Sequence, residues 1–268
     1  MRLPSMNAMP NAMPKAMSDA AYSAPSLLLQ VQHLSVFYRT VQALRDISLV
    51  IRPGRVTGAI GPNGAGKSTL IKAMLGLIPA AGAQITYGDH ALTEQLDRVA
   101  YVPQRSQVDL TYPATVWDVV MMGRVRQTGW FRRFSAASRQ AAQAALARVE
   151  MLELSDRPIS ELSGGQQQRV FLARSLAQEA DIFCFDEPFV GVDRKTETIL
   201  FEVFRELASA GKIVLVVNHD LGESITNFDD LILLNREVIA AGNRRLVLND
   251  NNLTRAYGAH VNFFQEAA

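Results

Sequence analysis

Gly61-Pro62-Asn63-Gly64-Ala65-Gly66-Lys67-Ser68-Thr69 decides how the rest of this 268-residue chain is read. Glycine, four residues, glycine, lysine and a hydroxyl residue is the spacing of a phosphate-cradling loop. The run before it, Arg55-Val56-Thr57-Gly58-Ala59-Ile60, is short and mostly apolar and predicts a buried strand. The run after it, from Leu70 to Leu77, has apolar residues at helical spacing and predicts a helix. Glycine lets the backbone take positive φ and turn its N–H groups inward. Those groups, with the positive end of the following helix, make an anion nest. Gly61, Asn63, Gly64, Ala65 and Gly66 supply the cradle, and Lys67 reaches the β- and γ-phosphates. Ser68 offers its hydroxyl to Mg²⁺, an ion that prefers oxygen ligands. Thr69 supports the α-phosphate side. A nucleotide is the expected ligand.

Composition sets the outer limits. The length allows one large domain or a core with a subdomain, and 48% hydrophobic residues supply a sizeable core. A formal charge of +1 gives no strong attraction to nucleic acid, which is not an expected partner. The single cysteine, Cys184, excludes an intramolecular disulfide and suits a reducing compartment. No apolar stretch approaches the roughly 18 residues that a membrane helix needs.

Residues 1–26 are rich in Met, Ala, Pro, Asn and Ser and read as a disordered tail. Alternating patterns over Leu27–Phe37 and Leu44–Ile51 predict antiparallel strands, with Tyr38 in the turn between them. Ile85-Thr86-Tyr87 and Val99–Val102 are further short strands. From about 107 to 164 no strand pattern appears, and Val116–Met122 and Ala136–Leu154 are helical. Strand and helix then alternate again through Gly165–Gln178, Asp181–Phe185, Lys195–Ala210 and Ile213–Val217, with late strands at Leu231–Leu234 and Val238–Ala240. The fold class is α/β: a P-loop NTPase (RecA-like) core with an antiparallel β-subdomain and an inserted all-helical subdomain. The domain is expected to span 27–248, with 249–268 as a C-terminal tail.

Two more stretches carry chemistry. The apolar strand ending in Asp186-Glu187 places Asp186 to hold Mg²⁺ opposite Ser68, and Glu187 to orient or deprotonate an attacking water. Leu162-Ser163-Gly164-Gly165-Gln166-Gln167-Gln168-Arg169 opens a helix with a hydroxyl and close-approach backbone, a second phosphate-binding end. One chain cannot easily fold both ends onto one γ-phosphate, whereas a second copy can supply the other.

With those residues in hand, the chain resembles the ABC-type ATPases over about residues 27–248. Leu162–Arg169 resembles their signature motif, and the P-loop, Gln104, Asp186-Glu187 and His219 fall in that family's order. The resemblance implies ATP and Mg²⁺ as cofactors. It implies that Tyr38 stacks on adenine, that Gln104 senses Mg²⁺ and the attacking water, and that His219 contacts the γ-phosphate. It also implies that Ser163, Gly164 and Gly165 bind ATP held by a second copy in a head-to-tail dimer, with Asp193 crossing the interface. Gly191-Val192-Asp193 departs from the commoner Ala-Leu-Asp wording but keeps the aspartate.

Within the family the chain resembles importer subunits of the manganese, zinc and iron uptake group. Glu187–Asp193 carries this, together with Val116–Arg124 and Gly129–Arg133. The implied partners are an integral membrane permease and, indirectly, an extracytoplasmic metal-binding protein. The implied place is the cytoplasmic face of the membrane, peripherally. An importer of heme, cobalamin or siderophore is the alternative, followed by a soluble ABC protein acting on nucleic acid or ribosomes. Arg124, Arg126, Arg132 and Arg133 form a basic cluster that reads either as a solvated face or as a contact with permease or lipid headgroups.

Overall fold

The computed structural model describes residues 27–107, 113–129, 132–218 and 222–258. In chain order these form β1 (Leu29–Tyr38), β2 (Val41–Ile51), β3 (Arg55–Ile60), α1 (Lys67–Met74), β4 (Gln84–Tyr87), β5 (His90–Ala91) and β6 (Val99–Val102). The helices α2 (Val116–Met122), α3 (Val125–Thr128), α4 (Ala136–Arg148) and α5 (Gly164–Ala177) follow. The chain then runs through β7 (Ile182–Asp186), α6 (Arg194–Ser209), β8 (Ile213–Val217), β9 (Asp230–Leu234), β10 (Val238–Asn243), α7 (Arg244–Val247) and α8 (Asp250–Tyr257).

Two sheets result. A four-stranded antiparallel sheet has the order β2-β1-β4-β5, and a six-stranded sheet has the order β10-β9-β3-β8-β7-β6. The larger sheet is parallel except at β10, which pairs antiparallel with β9. Its central strands β3, β8 and β7 are mostly apolar because both faces are covered. Successive side chains alternate between two cores. Phe183, Phe185, Val214 and Val216 enter one core with α2, α4, α5 and α6. Ile182, Cys184, Ile213, Leu215 and Val217 enter the other with α1 and the antiparallel sheet. Cys184 therefore points into core, where burial pushes its thiol up to about 12.

Several boundaries differ from the sequence reading. The helix after the glycine-rich loop starts at Lys67 rather than Leu70, because Gly66 in the left-handed region serves as its N-cap. Leu29, Val31, Leu34 and Val36 are all buried in β1 although the spacing is uneven, because the pairing register shifts near His33, which takes positive φ. Helix α5 packs against α2 and α4 as well as β6 and α6, so it joins the helical layer to the sheet. Residues after 248, expected as a tail, form α8, whose Leu253 and Ala256 are buried. Arg124 leaves the expected basic surface cluster: it is buried and donates to the Ala177 carbonyl and the Glu179 carboxylate at the end of α5. Arg126, Arg132 and Arg133 are exposed. Residues 1–26, Trp130-Phe131 and His219 lie outside the described residues.

The start of β7 is clamped by charge. Asp181 accepts from Arg98 Nε at 2.6 Å and from Lys212 Nζ at 2.7 Å. Burial alone would raise the Asp181 carboxyl, but the Lys212 ammonium and Arg98 guanidinium outweigh it and hold the group below its usual range. Asp181→Asn should therefore lower the unfolding free energy by about 1–2 kcal/mol at neutral pH, discounted for partial exposure of the pair. The depressed carboxyl contributes stability above its unfolded pKa of about 3.9, and the contribution fades as pH falls through the folded value. Urea titrations near neutral pH and near pH ~3 check this. A gap between wild type and variant that does not shrink on acidification would show that the ion pairs are not its source.

Candidate functional site

Parallel strands bring their C-terminal ends to one edge of the sheet, where α/β folds place ligands. Here that edge carries the loop after β3, Asp186-Glu187 at the end of β7 and Asn218 after β8. The ladder continues one step past the strands, through Asn218 N to Ala59 O (3.0 Å) and Glu187 N to Val217 O (3.1 Å). The functional ends are thus fixed to one another by backbone bonds.

The glycine-rich loop is clamped from outside. Gly61 has a φ of +152°, and a Cβ there would collide with the Leu234 carbonyl oxygen at the end of β9. Gly66 has a φ of +95°, and a Cβ there would run into the Leu44 side chain of β2. The Arg236 N–H donates to Ala65 O at 2.9 Å. Two sheets therefore hold one loop. Lys67, the first residue of α1, is buried and folds back so that Nζ donates to Gly61 O (2.7 Å) and Pro62 O (3.0 Å). Burial lowers its pKa, and the nearby Glu187 and Asp186 carboxylates work against that.

Asp186 is 1% exposed. Burial raises its carboxyl, while Ser68 Oγ, donating to Oδ1 at 2.7 Å, pulls it back down. Its second oxygen, Oδ2, is buried and has no hydrogen-bond partner among the described residues. The Tyr101 hydroxyl of β6 lies beside it without bonding geometry, and burial, then the Asp186 charge, hold that phenol above its ordinary range. A hydroxyl, an orphaned buried carboxylate oxygen and the side-chain amide of Gln104 are hard oxygen donors, and they fit a magnesium ion brought in with a nucleotide. Among the described residues no group of three or more His, Cys, Asp or Glu is placed to hold a metal ion.

Glu187 takes φ of +52°, an uncommon conformation for a non-glycine residue and one that gathers at functional sites. Its Oε2 accepts from Gln104 Nε2 at 2.7 Å. Lys67, Ser68, Asp186, Glu187 and Gln104 therefore converge on one place. Thr69 is half-buried on the same helix, and Asn63 and Gly64 are exposed on the loop. Tyr38 is 48% exposed at the end of β1, on the hairpin that lays Ala43 and Leu44 against Gly66.

Ser163, Gly164 and Gly165 form a second assembly. Ser163 caps α5: its Oγ accepts from Gln166 N at 3.3 Å, and Gln166 Oε1 accepts from Ser163 N at 2.9 Å. A Cβ on Gly164 would lie 2.5 Å from Arg105 Nη1, and one on Gly165 would lie 2.8 Å from Thr196 Oγ1. The atoms closest to a Cβ on either glycine, outside their own helix turn, come from Arg105, Gly191, Asp193 and Thr196 rather than from residues 61–69. Asp193 caps α6 through Thr196 N (2.8 Å), and hydrogen bonds from Thr196 lower its carboxyl. Sequence reasoning missed Arg105, Tyr101 and Arg236, and it quoted Gln167 within Leu162–Arg169 without giving it a role. Arg105 directly follows Gln104, whereas Tyr101 and Arg236 sit in patterns indistinguishable from ordinary core or turn residues.

The ABC transporter family matches residues 44–190. The manganese transport system ATP-binding protein MntB of Bacillus subtilis (strain 168) is 45% identical over 238 residues, 89% of this chain and 95% of that protein. The zinc transport system ATP-binding protein TroB of Treponema pallidum (strain Nichols) is 45% identical over 242 residues, 90% of this chain and 91% of that protein. A solved structure described as a metal-chelate type ABC transporter in an inward-facing conformation aligns with a TM-score of 0.76 at 26% identity. It covers 88% of this chain, which covers 90% of it.

The two loop glycines make a contrast that can be measured. Gly61 meets a backbone carbonyl, whereas Gly64 shares a positive φ but has open space around its missing Cβ. Gly64→Ala should cost about 1 kcal/mol from conformation alone. Gly61→Ala should cost at least about 2–3 kcal/mol, because backbone must move as well. Thermal or urea unfolding of both variants checks this, and equal losses would mean that the Leu234 contact does not decide the residue.

Proposed function

This chain belongs to the ABC transporter family as an ATP-binding subunit with ATPase activity, and from that premise we propose that it powers uptake of a transition-metal ion through a separate membrane permease. Manganese is the first choice of ion, with zinc or iron next. The names of the relatives support the choice. The observation that carries the mechanism is the split between two phosphate-binding ends: Lys67, Ser68 and Asp186 gather at one, and Ser163–Gly165 stand apart with Arg105 and Asp193. Such a split is completed by two copies arranged head to tail, each serving the other's nucleotide.

In this reading Tyr38 stacks on adenine, and Gly61 to Thr69 cradle the phosphates. Lys67 gives up its loop carbonyls to donate to the β- and γ-phosphates. Ser68, Asp186 and Gln104 hold Mg²⁺, which neutralises phosphate charge when bound. Glu187 accepts the proton of the attacking water at its carboxylate, and Gln104, already bonded to it, reports the state of that site to the segment leading into the helical layer. His219 contacts the γ-phosphate. Ser163, Gly164 and Gly165 bind the γ-phosphate of the partner's ATP, and Asp193 meets the partner across the interface. The chain sits peripherally on the cytoplasmic face through the permease, and an extracytoplasmic binding protein delivers the ion. Among the described residues no helix is long and apolar enough to cross a membrane.

Glu187→Gln should leave ATP binding intact and lower steady-state hydrolysis by about 10²–10⁴-fold, because the amide cannot accept the proton. An ATP-dependent dimer should accumulate in that variant. Normal turnover in the purified variant would remove Glu187 from the role of base. For the transported ion, deletion of the gene should abolish high-affinity uptake of manganese, zinc or iron as measured with radioactive ions. The metal-chelate neighbour keeps a second reading in play: loss of heme or siderophore uptake with normal uptake of the free ions would replace the first.

A further inference from the structure

Arg105 joins the two assemblies within a single chain. It directly follows Gln104, whose amide donates to Glu187 Oε2 at 2.7 Å. Its own Nε donates to Gln167 Oε1 at 2.8 Å, in the first turn of α5. Gln167 is 3% exposed, and its Nε2 donates to Ile159 O at 3.1 Å in the turn that leads into Ser163. The buried amide is thus satisfied on both sides, one bond to Arg105 and one to the backbone ahead of the signature stretch. Arg105 Nη1 also fills the space that a Cβ on Gly164 would take. Two consecutive residues, Gln104 and Arg105, therefore touch the hydrolysis site on one side and the partner-serving helix end on the other. A guanidinium at a helix N-terminus opposes the helix dipole, so the bond to Gln167 and the close fit over Gly164 are what hold it there.

We propose that Arg105 is a positioning residue that couples a chain's own hydrolysis site to the seating of its Ser163–Gly165 end against the partner's nucleotide. When Gln104 moves with Glu187, Arg105 carries that displacement to Gln167 and, through Ile159 and Ser163, to the angle at which α5 meets the other copy. The coupling rests on the head-to-tail reading, and two separate measurements keep the two apart.

The first measurement uses the full-length chain with Glu187→Gln as parent, so that ATP-bound dimers persist. Into it go Arg105→Ala, Arg105→Lys, Gln167→Ala and the double variant Arg105→Ala with Gln167→Ala. Dimer dissociation constants are read by sedimentation with ATP, and nucleotide affinity by fluorescent-ATP titration at concentrations where the chain is monomeric. Arg105→Ala should weaken the dimer about tenfold, the scale of losing a charge-assisted hydrogen bond, with nucleotide affinity unchanged. Arg105→Lys should recover most of that loss, and the double variant should be no weaker than Arg105→Ala alone, the mark of a shared interaction. An unchanged dimer in Arg105→Ala, or additive losses in the double variant, would overturn the coupling.

The second measurement needs no dimer. Amide hydrogen exchange over residues 159–169 in the nucleotide-free chain should speed up several-fold in Arg105→Ala, while exchange in α1 stays as it was. Unchanged exchange over 159–169 would overturn the latch whatever the dimer does. A Glu187→Gln parent that forms no ATP-dependent dimer would instead overturn the head-to-tail reading, and exchange then decides the intrachain contact alone.

Discussion

The hydrogen bond from Ser68 Oγ to Asp186 Oδ1 joins the first turn of α1 to the end of β7. The strands that present them, β3 and β7, are not neighbours, because β8 lies between. Closing that bond requires three strands in register and the loop after β3 held at a fixed height. It also requires a carboxylate and an ammonium to be buried side by side, which is costly unless each finds partners. Lys67 finds loop carbonyls, and Asp186 finds one hydroxyl and leaves its second oxygen without a partner among the described residues. Desolvation raises the acid and lowers the base. Charged groups held in this way gain most when a phosphate and a divalent cation bind, so ligand binding adds stability to this arrangement over the unfolded chain.

The alternation within β7 makes the site and the helical layer share a strand. Phe183 and Phe185 face the helices, and Ile182 and Cys184 face α1. Phe185 packs on Phe204 at 4.6 Å between ring centroids, Phe201 meets Phe228 edge-on at 5.6 Å, and Phe189 stacks on Phe201 at 4.7 Å. These rings form a stiff layer directly under the residues that follow Asp186. The backbone that carries Asp186 and Glu187 is therefore bounded by α1 on one side and by the aromatic layer on the other.

Much of this was legible before any coordinates. The glycine pattern, the buried strand ahead of it and the acidic pair after β7 place Lys67, Ser68, Asp186 and Glu187 together because each motif terminates an apolar run of strand length. The antiparallel sheet was legible from period-two alternation, and the helical insertion from its absence. What misled were polar residues and polar stretches that the fold packs. Arg124 looks like a solvated cation beside Arg126, yet it is buried on the end of α5, because Gly123 lets the backbone approach Arg174 closely. Within 249–258 only Leu253, Ala256 and Tyr257 are apolar, too few to mark the stretch locally as part of the fold.

The sequence by itself determined which candidate residues stand at the ends of strands and the starts of helices, because strand, loop and helix patterns are local and each candidate side chain stands at a pattern's end. Only the tertiary structure decided how those ends meet. It placed Gln104 on Glu187 and Arg105 on Gln167. It also gave Gly61, Gly164 and Gly165 their separate reasons to lack a side chain: a carbonyl from β9, a guanidinium from the segment after β6 and a threonine from α6. Those partners lie tens of residues or more away in the chain, and a contact of that kind leaves no period in the sequence from which it could be read.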